Sequence, residues 1–342
     1  MQLRKFHQFP NDVIIVDGMW GVGKSAITPI IATLKGIEKK RIDPIFEYVT
    51  TLNWLGLLDD SGAKALIATY SDYFTYHNRI GREVNLRLRD DSGLGNSPGK
   101  LRYVRRLFSN DGDVAQLKID KENPGTLIVS DFAIFGFNLL AESLDSRLRF
   151  IEIVRHPLYL INYVQNYLRE FDRPREFTLA FDLHGQKVPW MAQSWASEYL
   201  SLTLLEKSML MIARAQSKVI DYSESPNILT VSFEQFVTET SHHIELISDF
   251  LGRPVHYSPN RLMKRHKLPR DTVSAGRKSN SRSWVTDDDD SEEEIYLKLV
   301  RDSRSNVKSS VWSEFITAIG QYETIYPSSL SQIGRKIRMT PS

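Results

Sequence analysis

Val13-Ile14-Ile15-Val16-Asp17-Gly18-Met19-Trp20-Gly21-Val22-Gly23-Lys24-Ser25 is the stretch on which the reading of this chain turns. Its first four residues are β-branched and uninterrupted, as a strand buried on both faces requires. Residues 24–34 then place Ile27, Ile30, Ile31 and Leu34 at helical spacing. Between the two, Gly18, Gly23, Lys24 and Ser25 fit the pattern G-x-x-x-x-G-K-[ST], with Gly21 inside it. Glycines let backbone N–H groups turn inward around an anion, and the positive end of the following helix adds to them. In its strand–turn–helix context this Walker A pattern, a P-loop, points to bound phosphate. Gly18, Gly21, Val22, Gly23, Lys24 and Ser25 are the expected contacts. Lys24 would reach the phosphate being cleaved, and Ser25 would hold a magnesium ion or a further oxygen. A merely tight strand–helix turn is the other reading of the same residues.

Further along, residues 45–49 (Ile-Phe-Glu-Tyr-Val) read as a second short strand after Asp43-Pro44. Residues 126–130 and 149–154 read as further strands, the latter ending at Arg155-His156-Pro157, where a helix starts. Residues 195–222 carry the longest helical pattern, 227–233 the last strand, and 236–251 a helix stopped by Gly252 with Pro254 beyond it. Residues 75–125 are polar and poorly periodic, which predicts a mobile mixture of helix and loop. Strands alternating with helices predict an α/β fold of three layers, a central parallel sheet flanked by helices. One domain over residues 1–342 is expected, with insertions near 55–125 and 165–195.

Composition excludes several classes. Hydrophobic residues make up 41 % and charged residues 25 %, an ordinary globular balance. With 0 cysteines, disulfides, thiolate metal sites and cysteine nucleophiles are excluded. No signal peptide or apolar span is legible, so a cytoplasmic protein without membrane contact is expected. His242-His243 with Glu245 is not face-matched, and no resident metal site is expected. The net charge of +2 is no nucleic-acid footprint. Charge is nevertheless uneven. Lys100-Leu-Arg102-Tyr-Val-Arg105-Arg106 is basic, and residues 261–290 run from a basic half into an acidic one before the helix start Glu292-Glu293-Glu294. The basic half suits a phosphorylated ligand or a solvated loop equally. Trp190, Trp195 and Tyr199 read first as packing residues and second as a platform for stacking a sugar, and His184 first as a loop residue and second as a wall of the acceptor pocket.

The second half of the chain resembles the sulfotransferases that use 3′-phosphoadenosine 5′-phosphosulfate (PAPS). Four pieces carry the resemblance: Phe150-Ile-Glu-Ile-Val-Arg155-His156-Pro157 before a helix, Val231-Ser232-Phe233-Glu234-Gln235-Phe236, Asp249-Phe250-Leu251-Gly252-Arg253-Pro254, and Gly276-Arg277-Lys278 with Trp284 after it. With the opening strand and loop, and with Ile319-Gly320-Gln321-Tyr322 near the end, the resemblance spans residues from about 12 to about 322 in the family's order. The resemblance implies that Arg155 grips the donor's 3′-phosphate and that Arg277 and Lys278 close on the nucleotide. Where the family has a serine after the strand-end arginine, this chain offers Asn162 and Tyr163. It also implies a base shortly after the loop helix, for which Glu47 is the first candidate and Asp131 the second. Lys24 would stabilise the bridging oxygen as the bond to sulfur breaks. The loop departs from the family, since Lys24 stands where a Ser or Thr is usual. The donor therefore stays open: PAPS from the second half, or ATP with magnesium from the loop, in which case Asp131 would hold the metal. The expected partners are the nucleotide donor and a hydroxyl or amine of a glycan or small metabolite. The runner-up activity is a small-molecule kinase or another P-loop nucleotide-binding protein.

Overall fold

The structure, a computed structural model, describes residues 3–87, 90, 92–171, 173–174, 176–274, 276–277, 284–285, 291–304 and 307–327. Strand β1 (Val13–Asp17) leads into helix α1 (Lys24–Ile31). There follow β2 (Arg41–Ile42), α2 (Ile45–Trp54), α3 (Asp60–Arg79), α4 (Lys100–Arg106), α5 (Gly112–Glu122), β3 (Thr126–Val129) and α6 (Phe137–Leu144). Then come β4 (Leu148–Val154), α7 (Pro157–Arg169), the hairpin β5 (Ala180–Leu183) and β6 (Gln186–Pro189), α8 (Ala196–Leu200), α9 (Leu204–Tyr222) and β7 (Ile228–Ser232). The chain closes with α10 (Phe233–Thr238), α11 (Thr240–Leu251), α12 (Asn260–Arg265), the short ladder β8 (Gly276–Arg277) with β9 (Trp284–Val285), α13 (Glu292–Arg304) and α14 (Ser309–Ile325).

The main sheet has the order β2-β3-β1-β4-β7 and every pairing is parallel. Period-two alternation sorts its side chains into two cores. Ile14, Val16, Ile151 and Ile153 enter one, whose helical members come chiefly from α1, α7, α9 and α11. Val13, Ile15, Leu148 and Phe150 enter the other, with Phe46, Ile67, Phe74 and Leu140 from α2, α3 and α6. The expected three-layer α/β fold is the observed one. In a parallel sheet all carboxyl ends lie on one edge. Here that edge collects the glycine loop after β1, Asp131 after β3, Arg155 after β4 and Phe233 after β7.

Four expectations change. Residues 45–49 are not a strand but the start of α2. The Asp43 carboxylate accepts from the Ile45 N–H at 3.1 Å and the Tyr48 N–H reaches the Pro44 carbonyl, so Asp43-Pro44 opens a helix. Phe46, Val49 and Thr50 then bury one face at i, i+3, i+4, and that packing overrides their strand propensity. Residues 55–125 are far more regular than expected. They hold α3, 20 residues long and capped by Asp59 on the Gly62 N–H at 3.0 Å, together with α4 and α5. The pattern over 195–222 splits, because Thr203 and Glu206 form a reciprocal capping box that starts α9 afresh. Likewise β7 ends at Ser232, whose hydroxyl caps α10, and α10 and α11 divide at Glu239. Among the described residues no helix is long and apolar enough to cross a membrane.

Candidate functional site

The loop backbone needs its glycines. Gly23 has φ 104°, and a Cβ there would lie 2.2 Å from the Phe233 ring. Gly21 has φ 85°, and a Cβ there would lie 2.5 Å from Tyr163. Both are left-handed conformations that side chains resist. Val22 is buried beneath the turn, while Ser25 is exposed in the first turn of α1. The glycines thus let the Tyr163 and Phe233 rings pack directly against the loop backbone, while the Ser25 side chain stays exposed at the start of α1.

Lys24 lies folded back. Its ammonium donates to the carbonyls of Gly18 and Met19 and to the Asp131 carboxylate. Asp131 follows β3 and is aimed by a sharp turn, with Phe132 at φ 58°. Its side chain is 38 % exposed, so the ion pair faces solvent and a ligand.

More carboxyls surround this cation. Glu47, on α2, is 8 % exposed. Burial pushes its carboxyl up to about 8, and the charges of Asp131 and Asp17 push the same way against Lys24. Asp17, wholly buried at the end of β1, accepts from the Ser130 hydroxyl at 2.9 Å and the Ile134 N–H at 2.8 Å. Its carboxyl is also raised, chiefly by burial, against the pull of Lys24. Glu152 pairs with Asp17 in register across β1 and β4 and is raised well above the usual range by burial and then by Asp17. One Glu152 oxygen has no hydrogen-bond partner. One cation thus stands among four carboxyls. Burial favours the protonated form at Glu47, Asp17 and Glu152 alike. Glu152 was absent from the sequence-based candidates. The signal was present in Phe150-Ile-Glu-Ile-Val154, a lone acid inside a strand buried on both faces.

Arg155 closes the other side of the loop. It is 3 % exposed. It donates to the Gly21 carbonyl at 3.0 Å and to those of Val273 and Ser274 at 3.3 Å. The Phe233 ring lies 4.7 Å from the guanidinium and the Tyr163 ring 5.5 Å. Glu234 stands 3.9 Å from Nε, and its carboxylate also accepts from the His156 N–H and the Tyr322 hydroxyl. Arg155 therefore pins the phosphate loop to the segment leading into β8. Arg277 lies in β8, paired with Trp284, and Lys278 lies outside the described residues.

An aromatic wall rises beside the loop. Trp20, itself a loop residue, stacks on Tyr167 at 3.6 Å, with Phe132 edge-on at 4.9 Å. Trp190, Trp195 and Tyr199 are buried, as their packing role predicts. The Tyr48 hydroxyl donates to the Phe177 carbonyl at 2.7 Å, which ties the residue beside Glu47 to the segment around 165–195. The structure thus brings together Gly18, Gly21, Val22, Gly23, Lys24, Ser25, Glu47 and Asp131, with Arg155 and Tyr163 on the flank. The arrangement offers a phosphate cradle, a cation at its mouth and a protonatable carboxyl beside it.

No protein-family model matches the chain, and no curated protein matches it. Among solved structures, it is similar to the sulfotransferase domain of the Synechococcus PCC 7002 olefin synthase, at 14 % identity over 94 % of this chain and 98 % of that one, with a TM-score of 0.42. It is also similar to mouse sulfotransferase SULT7A1 complexed with PAP, at 12 % identity over 98 % and 90 %, TM-score 0.39. A third is the sulfotransferase from Alicyclobacillus acidocaldarius, at 10 % identity over 94 % and 98 %, TM-score 0.38. At such values the likeness carries no functional argument, which rests on the residues of the site.

Proposed function

We propose that this chain is a sulfotransferase, moving a sulfuryl group from PAPS to a hydroxyl or amine of a glycan or small metabolite. The observation that carries the proposal is the placement of Glu47, proton-holding near neutral pH, at the mouth of the phosphate loop where Lys24 already points. The G-x-x-x-x-G-K-S turn between β1 and α1, with Gly21 and Gly23 in left-handed conformations, fits a phosphate-bearing donor. The donor supplies an activated sulfuryl group on a phosphate leaving group.

In the reacting site Glu47, as carboxylate, takes the proton of the acceptor O–H or N–H. A bond from acceptor to sulfur forms while the sulfur bond to the bridging phosphate oxygen breaks. Lys24, released from Asp131 by the arriving phosphate, stabilises the charge growing on that oxygen. The products are the sulfated acceptor and PAP, and the proton stays on Glu47 until solvent removes it. A carboxyl that titrates near the operating pH is well matched to this task. Asp131 balances the Lys24 charge between turnovers. Arg155 with Tyr163, and Arg277 with Lys278 beyond it, would hold the 3′-phosphate side. For that, Arg155 must exchange the Val273 and Ser274 carbonyls for phosphate oxygens. Residues 165–195, tied to α2 through Tyr48, and residues near 55–125 would shape the acceptor side.

A second reading, an ATP- and magnesium-dependent small-molecule kinase, is favoured by the complete G-x-x-x-x-G-K-S pattern with Asp131 beside it. Ser25 and Asp131 would then hold the metal, which would neutralise phosphate charge. This reading would take a lid arginine from the basic stretch 100–106, where Arg105 is exposed but Arg102 and Arg106 are otherwise engaged. Arg106 makes a bidentate pair with Glu38 at 2.7 and 2.8 Å, and Arg102 donates to the Tyr103 hydroxyl and the Ile37 carbonyl. Calorimetric titration with PAP, ADP and ATP, each with and without magnesium, separates the two. Magnesium-independent binding with PAP tighter than ADP is expected. Binding of ATP only with magnesium, without preference for PAP, would transfer the proposal to the kinase.

A further inference from the structure

Two basic stretches of sequence are left over by the site described above, and the fold brings them together. A cleft of about 630 Å³ lies between the segment 95–100 and α12. Lys100 comes from the first stretch, and Arg261, Lys264 and Arg265 from the second. Among the described residues no acid lines it, and the remaining polar walls are Asn96, Ser97, Tyr257, Ser258 and Thr33. Lys100, Arg261 and Lys264 make no ion pair among the described residues, whereas Arg265 is held by the Asn96 side chain at 3.0 Å.

The cleft is separate from the phosphate loop. Thr33 lies just beyond the end of α1 opposite to Lys24. At 1.5 Å per helical residue, the two ends of α1 are on the order of 10 Å apart, and they face opposite edges of the sheet.

Lys100, Arg261 and Lys264 around one cleft repel each other, and α12 sets like charges at i, i+3 between Arg261 and Lys264, an arrangement that costs stability until an anion arrives. The volume falls in the range of small-ligand sites, about 300–1,000 Å³. With a chain charge of only +2, a single cleft of this size fits a small ligand better than a nucleic acid. We propose that it is a second anion site, taking a small polyanion with two or more phosphate or sulfate groups. Arg261 and Lys264, exposed at its rim, meet the ligand in bulk charge, while Arg265, oriented by Asn96, offers a fixed guanidinium fork.

The test uses the full chain carrying Lys24→Ala, so that the loop cannot answer for the cleft. Tripolyphosphate and a disulfated heparin disaccharide are titrated into this protein and into the same protein carrying Arg261→Glu and Lys264→Glu. Saturable binding of either probe, weakened about tenfold by added salt and at least tenfold by the double reversal, is expected. Preference for one probe identifies a phosphorylated or a sulfated source. Arg261→Lys with Lys264→Arg keeps the charges and should bind within about threefold. Should the double reversal unfold the protein, Arg261→Gln with Lys264→Gln replaces it, with near-ultraviolet circular dichroism as the check on folding. Absence of binding by both probes, or equal affinity in folded protein with and without the charge changes, would overturn the proposal. It stands or falls independently of the donor that the loop takes.

Discussion

The two ends of α1 meet opposite surroundings. At the start, Lys24 is one cation among Asp17, Glu47, Asp131 and Glu152, and its charge is already spent on Asp131. Beyond the other end, Lys100, Arg261, Lys264 and Arg265 share a cleft whose described walls carry no acid. The first end is a machine part: its cation is held back, its neighbours store protons, and a ligand must displace an internal ion pair to enter. The second is a plain electrostatic receptor, open and salt-sensitive. Chemistry requires the first design, because a base must hold and yield a proton, whereas retention of an anion requires only the second.

That contrast breaks most sharply at Lys24. Lys24→Ala should lower turnover by about 10³-fold through loss of charge stabilisation at the leaving oxygen, measured as kcat with PAPS. Lys264→Glu, at the other end, should leave kcat within about twofold. Equal losses would erase the distinction. Glu47→Gln should cost about 10²–10⁴-fold in kcat. In the unaltered protein the rate should climb with pH through about 8, where the Glu47 carboxyl loses its proton, and the climb should vanish in the variant. A climb that survives would mean that Glu47 is not the base.

Next in size is Arg155→Ala. It should weaken PAP by about 10- to 100-fold, the worth of a charged hydrogen bond, and ADP much less. Comparing two ligands on one variant removes any loss of folding from the comparison, and equal losses would sink the 3′-phosphate role. The smallest effect concerns stability. Glu152 keeps its proton in the fold to a pH well above the usual carboxylate range. The unfolded chain gives up that proton near pH 4.3, so stability falls as pH rises between the two values, by about 1.4 kcal/mol per pH unit for one proton. Glu152→Gln removes that proton, and thermal unfolding midpoints should decline less steeply from pH 5 to pH 8. An unchanged slope would mean that Glu152 is ionised in the fold.

Much of this was legible in the sequence. The loop and its flanks read correctly because β-branched run, glycine spacing and helical period agree locally. Arg155 at a strand end before Pro157 was equally plain. Glu47 was found as a residue but placed on a strand, because Ile45, Tyr48 and Val49 favour strands and the opening signal, Asp43-Pro44, is short. The helix α3 escaped notice because its buried face includes Ser71, Asp72, Thr75 and Asn78, and the tertiary partners that satisfy the first three are displayed by no window of sequence. Asp72, for one, is paired with Arg147 at 2.9 Å. The carboxyl cluster around Lys24 and the cationic cleft are both products of topology. Residues 47, 131 and 152 meet only because parallel strands deliver their ends to one edge, and residue 100 meets 261–265 only once α12 packs beside α1.

The account rests on Glu47 holding its proton beside Lys24. Infrared difference spectra of the carboxyl bands, recorded from acid to alkaline pH for the unaltered protein and for Glu47→Gln, measure this directly. The account predicts that the band lost in the variant titrates near about 8. A band that titrates in the ordinary glutamate range, near about 4.3, would contradict it.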